Sequence, residues 1–122
     1  MMAGAVTVTL HRDTHLFASR PDLVEKLEKV RERILLAPDQ LLHAEAGSGY
    51  LVRLGRLRIS EFLPDGREVT RAVLQAGGMF RTDPEGQFEP DAEADVYDLA
   101  HIVVMALGDV ELWALPSTDL DF

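Results

Sequence analysis

Between Tyr50 and Phe80 apolar and charged residues alternate. Leu51, Arg53 and Gly55 interleave with Val52, Leu54 and Arg56, and Leu57 and Ile59 then interleave with Arg58 and Ser60. A period of two places apolar side chains on one face of a strand and cations on the other. Pro64-Asp65-Gly66 interrupts the pattern. Proline presets φ, aspartate bonds its own backbone and glycine accepts positive φ, so a tight reversal is predicted there. The chain returns through Val69, Arg71 and Val73 alternating with Thr70, Ala72 and Leu74, and stops at Gly77-Gly78. Two residues without Cβ allow a sharp corner. The whole stretch is read as two β-hairpin arms.

Upstream, Val6, Val8 and Leu10 alternate with Thr7, Thr9 and His11, which predicts a short leading strand or a frayed terminus within an N-terminal segment, residues 1–15. A single domain is assigned to residues 16–122. Ser19, Pro21 and Asp22 form a helix-start signal, because they satisfy or remove the unpaired N–H groups of a first turn. A helix is predicted from about Arg20 to Arg33, with Leu23, Leu27, Val30 and Ile34 on one stripe and Glu25, Lys26, Glu28, Lys29 and Glu32 on the wet face. Next come the apolar run Ile34-Leu35-Leu36, a turn at Pro38-Asp39, the pair Leu41-Leu42 and a glycine-containing loop at 44–49. Beyond Phe80 the acids Asp83, Glu85, Glu89, Asp91, Glu93, Asp95 and Asp98 accumulate, with Arg81 as the only cation and Pro84, Gly86 and Pro90 as breakers. This predicts a long, exposed acidic insertion at about 81–99, gathering into a helical turn near Val96–Leu99. Ile102–Met105 reads as a strand, and Gly108-Asp109 as a hairpin turn into Val110, Leu112, Ala114 and Leu115. Strand count and turn spacing imply a mainly β, mostly antiparallel sandwich or barrel.

Composition narrows the function. With 122 residues and 47% hydrophobic content, one modest core is expected. A formal net charge of -9 argues against direct nucleic-acid binding, which needs clustered cations. The absence of cysteine excludes disulfides, thiolate metal sites and cysteine nucleophiles. No secretory signal pattern opens the chain, and no apolar run approaches the ~20 residues that cross a bilayer, so a cytoplasmic protein without membrane contact is expected. His11, His15, His43 and His101 include no His-x-His pair, so no metal site is predicted and a metal-dependent enzyme is disfavoured. The carboxylates between Asp83 and Asp98 lack calcium-loop spacing, and no nucleophile–histidine–acid set stands out. Haem ligation through His43 or His101 has no specific sequence support.

Tyr50, Leu51, Val52, Gly55, Leu57 and Ile59, then Asp65-Gly66-Arg67-Glu68, then Val73-Leu74, then Gly78 and Phe80 resemble, in order and spacing, the middle of a cyclic-nucleotide-binding domain. The family is that of transcription regulators of the catabolite activator and fumarate-nitrate regulator superfamily. The resemblance extends outward to Leu16-Phe17, to the predicted helix, to Pro38-Asp39-Gln40, where Gln40 replaces a usual turn glycine, and to Ala106, Leu107, Asp109, Glu111, Leu115 and Pro116. It covers roughly Leu16 to Leu120 apart from the acidic insertion. It implies a β-roll, a double-stranded β-helix of the cupin-like jelly-roll type, with an N-terminal α-helix.

The resemblance also says where a ligand would sit. In the family, glycine-glutamate after the corner phenylalanine and a later arginine-serine pair hold the cyclic nucleotide, the arginine pairing with its phosphate. Here Arg81-Thr82 stand in place of the first pair, and Ala100-His101 in place of the second. A buried phosphate without an arginine partner loses its main charge compensation. The candidate ligand-binding residues are Gly78, Phe80, Arg81, Thr82 and His101, with Arg81 as a substitute cation and His101 as a second donor. The plainer reading makes Arg81 an exposed arginine and His101 a structural histidine. The family's dimerisation helix and helix-turn-helix would begin near Pro116-Ser117-Thr118, and the sequence runs only to Phe122. The expectation is therefore a stand-alone, non-catalytic regulatory sensor or interaction module without a cofactor, binding a protein partner or a small-molecule effector. The alternatives are cyclic-nucleotide binding in a rewired pocket and, more remotely, a cupin-like metal enzyme. A homodimer formed through the roll, with Trp113, Phe62 and Leu63 adding apolar surface, completes the expectation.

Overall fold

Alternation becomes strand along most of the chain. The computed structural model describes residues 5–11, 32–86 and 93–119. The strands are β1 Val6–His11, β2 Glu32–Leu36, β3 Ser48–Leu54, β4 Leu57–Phe62, β5 Glu68–Leu74, β6 Met79–Pro84, β7 Ala94–Asp98, β8 Ile102–Ala106 and β9 Val110–Pro116. Short 3-10 turns occupy Leu99–His101 and Ser117–Asp119. One sheet has the order β2-β9-β3-β6-β1-β7 and the other β5-β4-β8. The strand pairings are antiparallel. This is a β-roll.

The β4–β5 hairpin forms as predicted. Asp65 Oδ1 accepts the Arg67 N–H at 3.0 Å, and the Gly66 N–H reaches the Leu63 carbonyl at 2.9 Å. The other predicted hairpins are corners between sheets. Strands β3 and β9 lie in the larger sheet, whereas β4 and β8 pair with each other in the smaller one. Gly55 and Gly108-Asp109 therefore carry the chain across the roll. At the first of these corners only glycine fits: Gly55 has φ 85°, and a Cβ there would lie 2.3 Å from the Asp109 carbonyl oxygen. The Leu107 N–H joins the two corners through the Arg56 carbonyl at 3.0 Å. Alternation reports which face of a strand is apolar and says nothing about which strand lies beside it.

The facing sheets enclose one core. Val8, Leu10, Leu36, Tyr50, Val52, Phe80, Leu112 and Ala114 come from the larger sheet, and Leu57, Ile59, Leu74, Val104 and Ala106 from the smaller. Tyr50 and Phe80 stack with centroids 4.9 Å apart. Burial of each large side chain contributes about 1.5–3 kcal/mol. Strand β1 is no frayed terminus: it lies between β6 and β7, with Val8 opposite Thr82 and Tyr97.

The predicted acidic insertion is corrected by the same pairings. Its first part belongs to β6, in which Arg81, Thr82 and Asp83 are buried, and its last part to β7. Val96 and Tyr97 give β7 a side for each face, so this acid-rich stretch still pairs as a sheet-edge strand. The helical turn comes one step later, at Leu99–His101, where Asp98 Oδ1 accepts the Ala100 N–H at 2.9 Å. Most of the predicted Arg20–Arg33 helix, together with Leu16-Phe17, lies outside the described residues. Its last positions are corrected: Glu32 and Arg33 are strand, paired with Ala114 and Trp113 of β9. At Pro38-Asp39-Gln40 the usual glycine is dispensable because Asp39 itself takes φ 66°, and Gln40 Oε1 accepts the Ala37 N–H at 2.9 Å.

Candidate functional site

The predicted ligand residues from Gly78 to Thr82 surround the start of β6, where side chains alternate between faces. Gly78 is a packing corner. Its N–H donates to the Gln75 carbonyl at 2.8 Å, its carbonyl accepts the Val52 N–H at 2.9 Å, and a Cβ would meet the Leu74 Cβ at 3.1 Å. Phe80 faces the core against Tyr50. Arg81 turns to the outer face of the sheet, and Thr82 turns back inside. The Thr82 hydroxyl donates to the Glu45 carbonyl and lies 3.1 Å from the Ser48 carbonyl, while the Thr82 carbonyl accepts the Gly47 N–H at 2.8 Å. Its polar groups thus bind the 45–48 loop.

Arg81 is not the exposed arginine of the plainer reading. Its side chain is 2% exposed, and its Nε donates to Asp83 Oδ2 at 2.8 Å. His101 is exposed at the end of the 3-10 turn that links β7 to β8. Arg81 and Thr82 face opposite sides of the sheet, so the structure does not assemble Arg81, Thr82 and His101 around one ligand volume.

A polar cluster takes their place. Strand register sets Thr9 beside Arg81 and Thr7 beside Asp83. Thr9, His11, Arg81 and Asp83 are all buried on this outer face. The Thr7 hydroxyl donates to the Asp83 carbonyl at 3.2 Å, and His11 Nε2 lies 3.8 Å from Glu93 Oε2. Asp83 Oδ1 is buried without a hydrogen-bond partner. Sequence reading missed this cluster. Its signal was present in the alternating threonines of VTVTLH and in R-T-D, but the two stretches lie about seventy residues apart and meet only through β1–β6 pairing.

The inner face of the larger sheet offers little to an anion. By strand alternation its described residues carry no cation. Arg71 reaches toward this face from β5, its guanidinium 5.6 Å from the Tyr97 ring centre, but its Nη2 and Nε donate to Glu61 Oε1 at 2.6 and 3.0 Å. That hydrogen bonding, ahead of the Coulomb attraction of Glu61, holds Arg71 above its ordinary pKa. A cavity of about 350 Å³ at the end of the roll is bounded by Glu32, Glu45, Ser48 and Pro116, and so by two carboxylates. A cavity of about 490 Å³ lies among Leu35, Leu36, Leu54, Val110, Asp109 and Glu111. Leu35 and Leu54 are 68% and 62% exposed. Glu111 between them is ion-paired with Arg33. Trp113, expected to add apolar surface, has the Arg53 guanidinium 4.4 Å above its ring. Among the described residues no three His, Asp or Glu side chains gather to hold a metal, and no helix is long and apolar enough to cross a membrane.

No family model matches the sequence, and no curated protein matches it. Solved structures do. The N-terminal domain of a transcriptional regulator from Streptomyces coelicolor A3(2) is 24% identical with a TM-score of 0.57, the match covering 91% of this chain and 75% of that one. The heme domain of CooA from Carboxydothermus hydrogenoformans is 19% identical with a TM-score of 0.53, covering 88% and 70%. CprK C200S is 12% identical with a TM-score of 0.57, covering 81% of this chain and 44% of the CprK chain. At these identities the likeness establishes architecture. The chain has the β-roll fold of transcription-regulator effector domains, the fold implied by its resemblance to the catabolite activator and fumarate-nitrate regulator superfamily.

Proposed function

We propose that this chain is a non-catalytic regulatory sensor module that responds to a small effector, or to a protein partner, other than a cyclic nucleotide. The observation that carries the reading is the position of Arg81. The cation standing in the family's phosphate cassette is buried against Asp83 on the outer face, behind the strand whose Phe80 and Thr82 face inward. A cyclic phosphate inside the roll would meet Glu32 and Glu45 at one rim, and would have to displace Glu61 to reach Arg71. Desolvating a phosphate diester without a cation is too costly to allow tight binding. Effectors of other chemistry occur on this fold: CooA is a CO-dependent transcription factor, and CprK has been crystallised with o-chlorophenolacetic acid. The charge of -9 disfavours a direct role in contacting DNA. Self-association through the exposed Phe62 and the Leu35–Leu54 surface belongs to the same reading.

Thermal-shift and calorimetric titrations with cyclic AMP, cyclic GMP and cyclic dinucleotides test it. A ligand that binds only the folded state raises Tm by mass action, and none of these is expected to do so. A saturable rise in Tm would overturn the reading. Arg81→Ala is an unsuitable control because it leaves Asp83 buried without its guanidinium, so His101→Ala, at an exposed site, is the appropriate one.

A further inference from the structure

We propose that the outer face of β1, β6 and β7 carries a binding site for a small organic ammonium ion, built on the unpartnered oxygen of Asp83. A cavity of about 280 Å³ opens there, lined by Thr7, Thr9, Asp83, Glu85, Gly86 and Val96. Register places Thr7 beside Asp83 and Thr9 beside Val96, so these side chains share the face over which the cavity lies. The Asp83 side chain is 4% exposed; Oδ2 is taken by Arg81, and Oδ1 is buried with no partner. A buried acceptor left unmet costs about 1–3 kcal/mol, and native structures rarely carry one without a missing donor to account for it.

The chemistry of that donor follows from the surroundings. A carboxylate oxygen only accepts, so the occupant must present N–H or O–H, and anions are excluded. Among the described residues at the cavity, Arg81 balances the charge of Asp83 and Glu85 adds a negative charge at the exposed rim. A cationic donor is therefore favoured, because charge-assisted hydrogen bonds are roughly twice as strong as neutral ones. A primary ammonium group has three donors for Asp83 Oδ1, the threonine hydroxyls and Glu85. Val96, 44% exposed, supplies an apolar wall for a short carbon chain. The volume sits just below the range of about 300–1,000 Å³ for drug-sized ligands, which suits a small amine and is too small for a nucleotide. A bare divalent cation is disfavoured because no three metal-ligating side chains converge among the described residues. The site lies on the opposite face of the sheet from the core, so this proposal and the sensor reading fail independently.

Amide-resolved NMR titration of the full chain with n-butylammonium chloride tests it, with n-butanol as the neutral analogue and sodium chloride as the ionic control. Saturable shifts centred on Thr7, Thr9 and Val96 are expected with the ammonium salt alone. Asp83→Asn should weaken binding about tenfold or more, the loss expected for a charge-assisted bond. Because Asp83→Asn also disturbs Arg81, Glu85→Gln and Thr9→Val serve as gentler variants, each expected to weaken binding several-fold with the fold intact. Equal shifts with butanol or sodium chloride, shifts centred elsewhere, or no saturable shift in the millimolar range would overturn the proposal; the last would leave Oδ1 as a hydration site. Unchanged affinity in both gentler variants would also overturn it.

Discussion

If Arg81 is committed to Asp83, removing the guanidinium should cost far more than removing both charges. Both side chains are nearly inaccessible, at 2% and 4% exposure, and their contact is a 2.8 Å hydrogen bond. In Arg81→Met the carboxylate stays buried, and since Oδ1 is already unpartnered, neither oxygen keeps a hydrogen bond. Breaking a buried pair from one side costs about 3–5 kcal/mol. A domain of this size loses roughly 3–5 °C of Tm per kcal/mol, so a fall on the order of 10–20 °C is expected. Asp83→Leu should cost less, toward the lower end of that range, because a guanidinium's several donors redistribute more readily than a carboxylate's fixed acceptors. The double substitution Arg81→Met with Asp83→Leu should recover most of the loss, because apolar replacements of a buried pair are often neutral or stabilising by about 1–4 kcal/mol. Urea unfolding of the four proteins, with the m-value checked for constancy, completes the cycle. The expected coupling is at least about 2 kcal/mol. A loss below about 1 kcal/mol in Arg81→Met would place the pair in the range of a solvated surface bridge. That result would refute the burial argument and return Arg81 to the pool of cations available to a phosphate.

Other sites yield simpler tests. Gly55→Ala forces a Cβ to 2.3 Å from the Asp109 carbonyl at φ 85°, and should cost about 1–3 kcal/mol or more in chemical unfolding. Phe80→Ala removes one ring of the Tyr50 stack and should cost about 3–5 kcal/mol, whereas Tyr50→Phe removes only an acceptor 3.0 Å from the part-buried Glu45 N–H and should cost about 1 kcal/mol. His101→Ala should leave stability within about 0.5 kcal/mol of the parent; a larger change would mean that the exposed imidazole has a structural partner.

Much of the fold was legible because it is written in local periods. The alternation from Leu51 to Leu74, the Pro64-Asp65-Gly66 turn and the Gly77-Gly78 corner all appear where short-range sterics and burial require them. The same periods misled at Gly108-Asp109, read as a hairpin although β8 and β9 lie in different sheets, and at residues 81–99, where charge density concealed two strands. The candidate site was legible only as a position. That Ala100-His101 stand where the family resemblance implies an arginine-serine pair is a matter of residue identity. That Arg81 faces outward and is bonded to Asp83 depends on the pleat, which sends successive side chains to opposite faces of β6. The assembly of Thr7 and Thr9 with Arg81 and Asp83 depends on long-range register. Composition and periodicity determined that this chain would be mainly β and cysteine-free, because those properties reside in each residue and its near neighbours. Strand partners, the burial of Arg81 and the open oxygen of Asp83 were settled only when residues distant in sequence were brought side by side, since no local preference encodes which strand lies next to which.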